Sequence, residues 1–277
     1  MRRVEKMANG KAFDCHIHSH CSADGREPVA ALCRVAIERG LSGIAVTDHC
    51  DIYQGREACE RVFRGLAAEI RPAREEFGDR LRISMGLEMG EAHHVPALAE
   101  DIASREELDF VIGSLHKLRG EEDFYFMDYD RFDAASLSSL LHRYYDELVE
   151  MAELGCLDVM AHIGYQTRYM SERARRLARS LDLSGRQREL AGVLARKGKG
   201  MEVNSSTMRM GEAGIFPSHA ILRMFRDAGG DTVTTGSDAH IASKVGEGIP
   251  EAMARLLQAG FEQAVFFEKR RPTRYEL

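Results

Sequence analysis

The segment Asp14-Cys15-His16-Ile17-His18 sets two imidazoles two residues apart, and Gly236-Ser237-Asp238-Ala239-His240 repeats the spacing with a carboxylate first. In extended chain, residues i and i+2 point to the same side, so either pair can reach one cation. Between these motifs stand Thr47-Asp48-His49, Gly86-Leu87-Glu88, Gly113-Ser114-Leu115-His116 and Met160-Ala161-His162, while Asp24 follows the first motif in a polar loop. The candidate metal ligands are therefore His16, His18, Asp24, His49, Glu88, His116, His162, Asp238 and His240, six histidines and three carboxylates. Taken singly, each has a plainer reading. An H-x-H also occurs at surfaces, a lone His116 or His162 is more often simply hydrogen-bonded, and Glu88 could be a solvated loop residue. The set outweighs those readings because its members recur at the ends of successive apolar runs. Imidazole and carboxylate without thiolate suit zinc, manganese or iron better than magnesium. Nine donors are too many for one ion and fit two or three. His20, His93, His94, His142 and His219 read as surface or substrate-side residues, His20 being the easiest to mistake for a ligand.

The elements that must carry these groups follow from periodicity. Val29, Leu32, Cys33, Ala36 and Ile37 fall at helical spacing between Pro28 and Gly40. Residues 43–47 read as a strand, about 57–77 as a helix, 82–88 and 110–114 as strands. A long helix carries Leu137, Leu140, Leu141, Tyr144 and Leu148 on one stripe. Strands at 158–161 and 200–204 flank a helix around Leu190, Val193 and Leu194. Ser218 caps a helix that Gly229 ends. A strand at 231–236, a helix at 251–258 and a last strand at 264–267 complete the pattern. Strand–helix alternation predicts a parallel sheet covered by helices. Seven or eight such units suit a closed barrel, and a doubly wound open sheet would give the same pattern. In a barrel the strand ends meet at one rim, where barrel enzymes place their chemistry.

Composition narrows the function classes. The chain has 277 residues, 44% apolar and 30% charged, with a net charge of -6. That balance argues against a broad nucleic-acid footprint, which needs a basic face. Six cysteines without a C-x-x-C pair resemble neither a disulfide framework nor a zinc ribbon, and point to a reducing cytosol. The charged start Met1-Arg2-Arg3-Val4-Glu5-Lys6 lacks the apolar stretch of a signal peptide. No run approaches the ~20 apolar residues of a membrane span. The expectation is one cytoplasmic domain over residues 1–277, with no linker, internal repeat or membrane contact.

The six metal motifs together resemble the PHP (polymerase and histidinol phosphatase) superfamily, over about residues 11 to 272. Within it the chain looks most like the histidinol-phosphate phosphatases of histidine biosynthesis. The segments that support this are 110–116, Asp123-Phe124-Tyr125, Gly200-Met201-Glu202-Val203-Asn204-Ser205-Ser206 and Phe267-Glu268-Lys269-Arg270-Arg271-Pro272. The resemblance implies a distorted (β/α)7, TIM-like barrel with a site for up to three metals. By it, His16, His18, Glu88 and Asp238 would hold one ion. Glu88 would bridge to a second, held also by His116 and His162, and Asp24, His49 and His240 would hold a third. Asp24 stands where some relatives carry histidine, and Asp48 where some carry glutamate. Neither departure removes a ligand.

The expected reaction is hydrolysis of a small phosphomonoester, L-histidinol phosphate first, by a hydroxide bridging the metals. Catalysis should depend most on His16, Glu88 and Asp238. Arg168 and Arg209, just past the fifth and sixth strands, are candidate phosphate clamps because a guanidinium fork matches phosphate, although either could be an ordinary exposed arginine. Asp238 or a metal-bound water is the candidate proton donor, and Asp14 and Asp48 could orient ligand histidines from behind. Glu91, Glu121, Glu122 and Asp123 are available to meet a cationic amino alcohol. A hydrolase for other phosphomonoesters or nucleic-acid ends is the alternative. A non-catalytic interaction domain comes last, since such a domain should have lost ligands.

Overall fold

Parallel strands buried on both faces tolerate few polar residues, so the polar groups of such a sheet collect at its ends. The computed structural model, which describes residues 11–207 and 216–277, follows that rule. Its elements run β1 (Phe13–Ile17), α1 (Val29–Glu38), β2 (Gly43–His49), α2 (Arg56–Phe77), β3 (Arg82–Gly90), α3 (Pro96–Ala103), β4 (Phe110–Ser114) and α4 (Ala134–Glu153). They continue with β5 (Val159–Met160), α5 (Glu172–Arg179), α6 (Ser184–Arg196), β6 (Gly200–Asn204), α7 (His219–Asp227), β7 (Val233–Gly236), α8 (Ile249–Ala259), β8 (Gln263–Glu268) and β9 (Arg271–Glu276).

The seven strands β1 to β7 pair in sequence order, all parallel. The sheet comes round on itself just beyond β7, where the Asp238 amide donates to the His16 carbonyl at 2.7 Å and the His18 amide to the Ala239 carbonyl at 2.9 Å. This closure decides for a barrel over an open sheet. Register then does the positioning: β2 and β3 pair from Gly43 with Arg82 up to His49 with Glu88, so these two polar side chains end on neighbouring strands.

Helices cover the outside by ordinary amphipathic logic. Along α2, Cys59, Phe63, Leu66, Ile70, Ala73 and Phe77 are buried at helical spacing. A capping box between Asp133 and Ser136 starts α4, whose buried stripe includes Leu137, Leu141, Tyr144 and Leu148. The periodic pattern did not reveal α3 or α5. Only Ala174 is buried in α5, so that helix has no apolar stripe to read.

The last strand expected at 264–267 is present, and it lies outside the seven-stranded barrel. β8 pairs antiparallel with β9 to form a separate hairpin. Phe266 packs 4.6 Å from Phe13, and Phe267 packs 5.0 Å from Phe110 (ring centroids), so the hairpin covers the end of the barrel opposite the polar rim. β9 carries Pro272 and is mostly exposed, which an edge strand allows and a central strand does not. Arg270, in the hairpin turn, donates to Asp158 at 2.6 Å, to the Ala103 carbonyl at 2.8 Å and to the Cys156 carbonyl at 2.7 Å.

Among the described residues no helix is long and apolar enough to cross a membrane. Arg270→Ala takes the guanidinium from two carbonyls and from a nearly buried carboxylate, which keeps only the Val111 amide on the same oxygen. It should lower unfolding stability by about 2–3 kcal/mol in urea titrations. A change below about 0.5 kcal/mol would show that the hairpin is not held by this side chain.

Candidate metal centre

All nine side chains singled out by the motifs meet at the rim formed by the C-terminal strand ends. Glu88 is the hub. Its Oε2 lies 3.3 Å from His16 Nε2, 3.4 Å from His18 Nε2 and 2.9 Å from His49 Nδ1. Its Oε1 lies 3.2 Å from His116 Nε2 and 2.9 Å from His162 Nε2. Asp238 Oδ1 is 3.8 Å from His16 Nε2 and 3.3 Å from His18 Nε2. On the outer side, Asp24 Oδ2 lies 3.0 Å from His240 Nε2 and 3.6 Å from His49 Nε2. The donor atoms thus fall into three overlapping groups, with Glu88 common to two and the two ring nitrogens of His49 facing different groups.

Behind the rings, a further layer fixes which nitrogen is free. Glu202 Oε1 accepts from His16 Nδ1 at 2.7 Å, leaving Nε2 as the lone-pair atom toward Glu88. Ser22 donates to Asp48 Oδ1 at 2.8 Å, so its oxygen is free to accept from His18 Nδ1 at 3.2 Å. His240 Nδ1 donates to the Asp238 carbonyl at 3.0 Å. Asp48 therefore reaches His18 through Ser22 instead of touching a ring. Asp14 acts on backbone: it accepts from the Ser237 amide at 2.8 Å and the Gly246 amide at 2.7 Å, which shapes the loop carrying Asp238. Burial pushes the Asp14 carboxyl up to about 6, against the opposing effect of those hydrogen bonds.

The electrostatics test whether these donors suit a cation. Burial works against ionised Glu88, yet His49, His16 and His116 hold its carboxyl well below the usual range. Burial likewise opposes protonation of His16, and Glu202, Glu88 and Asp238 outweigh it. His116, similarly placed by Glu88, is raised to about 9. His18 goes the other way: burial, then His49 and His240, push it down to about 3. A neutral His18 therefore aims a lone pair at two carboxylate oxygens with no proton between. His16 Nε2, His18 Nε2, His49 Nδ1 and Glu88 Oε2 are all buried without a directed hydrogen-bond partner, even where the separation is 2.9 Å. A lone pair facing carboxylate oxygens in so enclosed a site, as at His18, costs several kcal/mol unless a positive charge lies between them. The donor set fits divalent cations.

A cavity of about 970 Å³ opens over this cluster, lined by Glu88, His116, His162 and Asp238 below and by Tyr53, Asp123, Tyr125, Phe126, Tyr165 and Tyr169 above. Arg168 stands in its wall, 3.9 Å from Asp238 Oδ2. Arg209 lies outside the described residues. Of the four acidic groups considered for the rim, Asp123 lines the cavity. Glu91 does not belong there: it is buried and accepts from the His116 and Lys117 amides at 2.6 and 3.1 Å. Glu121 is paired with Arg143 at 2.6 Å.

The remaining histidines lie apart from the centre. His20 pairs with Glu69, His142 with the Ser138 carbonyl, and His219 lines a separate cavity. His93 is not a surface residue, being fully enclosed and bonded to Glu147 at 2.8 Å; its irregular loop gave no periodic signal of burial. The motifs also passed over Ser22 and assigned no role to Glu202. A carboxylate within an otherwise apolar strand, Gly200-Met201-Glu202-Val203-Asn204, was the available signal for the latter.

A model of the PHP domain matches residues 14–206. The chain belongs to the PHP domain family. Over 268 residues it is 28% identical to a histidinol-phosphatase of Lactococcus lactis, covering 93% of this chain and 94% of that protein. A probable histidinol-phosphatase of Deinococcus radiodurans is 25% identical over 266 residues, covering 91% of this chain and 95% of that one. In three dimensions the PHP barrel superposes with a TM-score of 0.77 on a crystal structure of histidinol phosphate phosphatase from Lactococcus lactis complexed with zinc, L-histidinol and phosphate. That match is 25% identical and covers 95% of this chain and 99% of the other.

Replacing the hub tests the centre directly. Glu88→Gln turns one shared acceptor into a donor and should lower the zinc or manganese retained per chain by at least one ion in elemental analysis after dialysis. Unchanged metal content would remove Glu88 from the ligand set.

Proposed function

We propose that this PHP protein is a metal-dependent phosphomonoester hydrolase that converts L-histidinol phosphate and water to L-histidinol and phosphate. The observation that carries the reading is the cluster of nine donors, with orphaned lone pairs at its heart, on the floor of a cavity large enough for a small phosphate ester. Near-full-length likeness to histidinol-phosphatases, one of them crystallised with zinc, L-histidinol and phosphate, supports the choice of substrate.

In this reading two or three divalent ions, zinc, manganese or iron, occupy the centre. His16, His18, Glu88 and Asp238 hold one; Glu88, His116 and His162 hold another; Asp24, His49 and His240 hold the third. When bound, such ions polarise phosphoryl oxygens and acidify water to near neutral pH. The chain's own groups do the rest. Arg168 binds phosphoryl oxygen from the cavity wall, a role in which its fork offers two parallel donors. Arg209 is the second clamp proposed for the phosphate. Asp238 turns one oxygen to the imidazoles and the other toward Arg168. Burial disfavours its charge, but His16 and then His240 keep it ionised, and the oxygen facing Arg168 is placed to accept the proton of the attacking water and to return it to the leaving alkoxide. At the mouth, Asp123 meets the cationic amine, and the exposed rings of Tyr125 and Phe126 offer faces for the imidazole. The whole chain acts as one phosphatase domain, and its six unpaired thiols suit the reducing cytosol.

The test is phosphate release from L-histidinol phosphate beside sugar phosphates, nucleotides and a short oligonucleotide, with and without added zinc or manganese. A marked preference for L-histidinol phosphate that disappears in His16→Ala is the expected result. Activity confined to other esters would keep the metal hydrolase and overturn the substrate. Asp123→Asn should raise KM for L-histidinol phosphate about tenfold, the loss of roughly one charged contact of about 1.4 kcal/mol, and leave an aryl phosphate that carries no amine unaffected. Equal effects on both esters would remove Asp123 from amine recognition.

A further inference from the structure

Glu202 lies on β6, yet its carboxylate acts on groups belonging to β1 and to the end of β5. Oε1 is 2.7 Å from His16 Nδ1, and Oε2 accepts from the His162 amide at 2.8 Å and from Asn204 Nδ2 at 3.2 Å. The side chain is completely buried. To reach His16 it must cross the inner face of β7, which stands between β6 and β1 in the barrel. Gly236 makes that passage: a Cβ there would fall 2.2 Å from Glu202 Oε1 and 2.5 Å from the His16 Cβ.

His162 needs such an anchor. Its φ of +22° lies at the border of the left-handed region that a residue with a side chain rarely adopts, and in this conformation its Nε2 reaches Glu88 Oε1 at 2.9 Å. The same carboxylate thus selects the tautomer of His16 and pins the strained backbone of His162. These two rings address opposite oxygens of Glu88.

We infer that Glu202 is a positioning residue that couples two of the cation positions, fixing His16 and His162 together without being a ligand itself. The inference rests on the reading that both histidines hold metal. It makes glutamine a harsh replacement, because three donors converge on Glu202: His16 Nδ1–H, the His162 amide and Asn204 Nδ2. A carboxylate accepts from all three. A glutamine has one accepting oxygen, and its amide NH2 must turn toward either His16 or His162. If it turns toward His16, the ring must accept at Nδ1 and carry its proton on Nε2, where that proton blocks a cation. If it turns toward His162, the backbone that aims that ring is pushed away.

The experiment titrates metal-free protein with Co2+, following the visible ligand-field absorption and the bound metal by equilibrium dialysis, for wild type, Glu202→Gln and Glu202→Asp. Thermal unfolding of each metal-free protein reports folding separately. In Glu202→Gln, Co2+ affinity should fall about 10- to 100-fold at both positions served by Glu88, as supporting groups behind ligands generally require. Glu202→Asp keeps the charge and both acceptors and should recover part of the loss. Wild-type affinity in Glu202→Gln, or a loss confined to one position, would overturn the coupling. Failure of the wild type to bind Co2+ would instead overturn the metal reading beneath it. Should Glu202→Gln not fold, nitrogen-15 NMR of the zinc-loaded wild type decides: His16 must carry its proton on Nδ1, and a proton on Nε2 overturns the inference.

Discussion

The carboxylate of Glu88 enters a dry space walled by five imidazole rings, three facing one oxygen and two the other. Its charge can persist there only if positive charge is supplied, by protons on some rings or by cations between them. Protons cannot complete the task, because burial and neighbouring rings keep His18 neutral while its lone pair faces Glu88 and Asp238. Metal ions meet the constraint that protons leave unmet. The fold can be understood as the means of bringing these mutually repelling acceptors together: β2 and β3 in a register that sets His49 beside Glu88, and a closure that lays Asp238 against His16.

Holding such a cluster in place takes a layer of buried groups behind it. Three carboxylates share the work in different ways. Glu202 grips a ring and a backbone amide, Asp48 acts through Ser22, and Asp14 shapes the loop after β7 by accepting from Ser237 and Gly246. Each carboxylate stays buried because donors satisfy it: backbone amides and serine hydroxyls for Asp14 and Asp48, and an imidazole, a backbone amide and the Asn204 amide for Glu202. The hairpin lies at the other end of the barrel, joined to it by Arg270 and by the aromatic pairs with Phe13 and Phe110.

Much of this was legible in the sequence, for physical reasons. Parallel strands announce themselves as short apolar runs, and a polar residue ending such a run is conspicuous, which is why all nine candidate donors could be named. Closure of the barrel was legible in the family resemblance but not in the periodicity, since it depends on the Ile17 and Ala239 bridge between segments far apart in the chain. The β8–β9 hairpin was half seen: 264–267 is apolar, whereas its partner is an edge strand with proline and charges. Glu91 looked available at the cavity mouth because nothing local shows that amides of residues 116 and 117 will claim it. Glu202 and Ser22 act on partners that only the folded chain brings near.

X-ray diffraction from crystals of the protein as purified, collected on either side of the zinc, manganese and iron absorption edges, tests the central claim most directly. The account predicts two or three anomalous peaks at bonding distance from the Nε2 atoms of His16, His18, His116 and His162, with Glu88 shared between two of them. Rings and carboxylates in the same places with no anomalous density among them, after soaking with each of these metals, would contradict it.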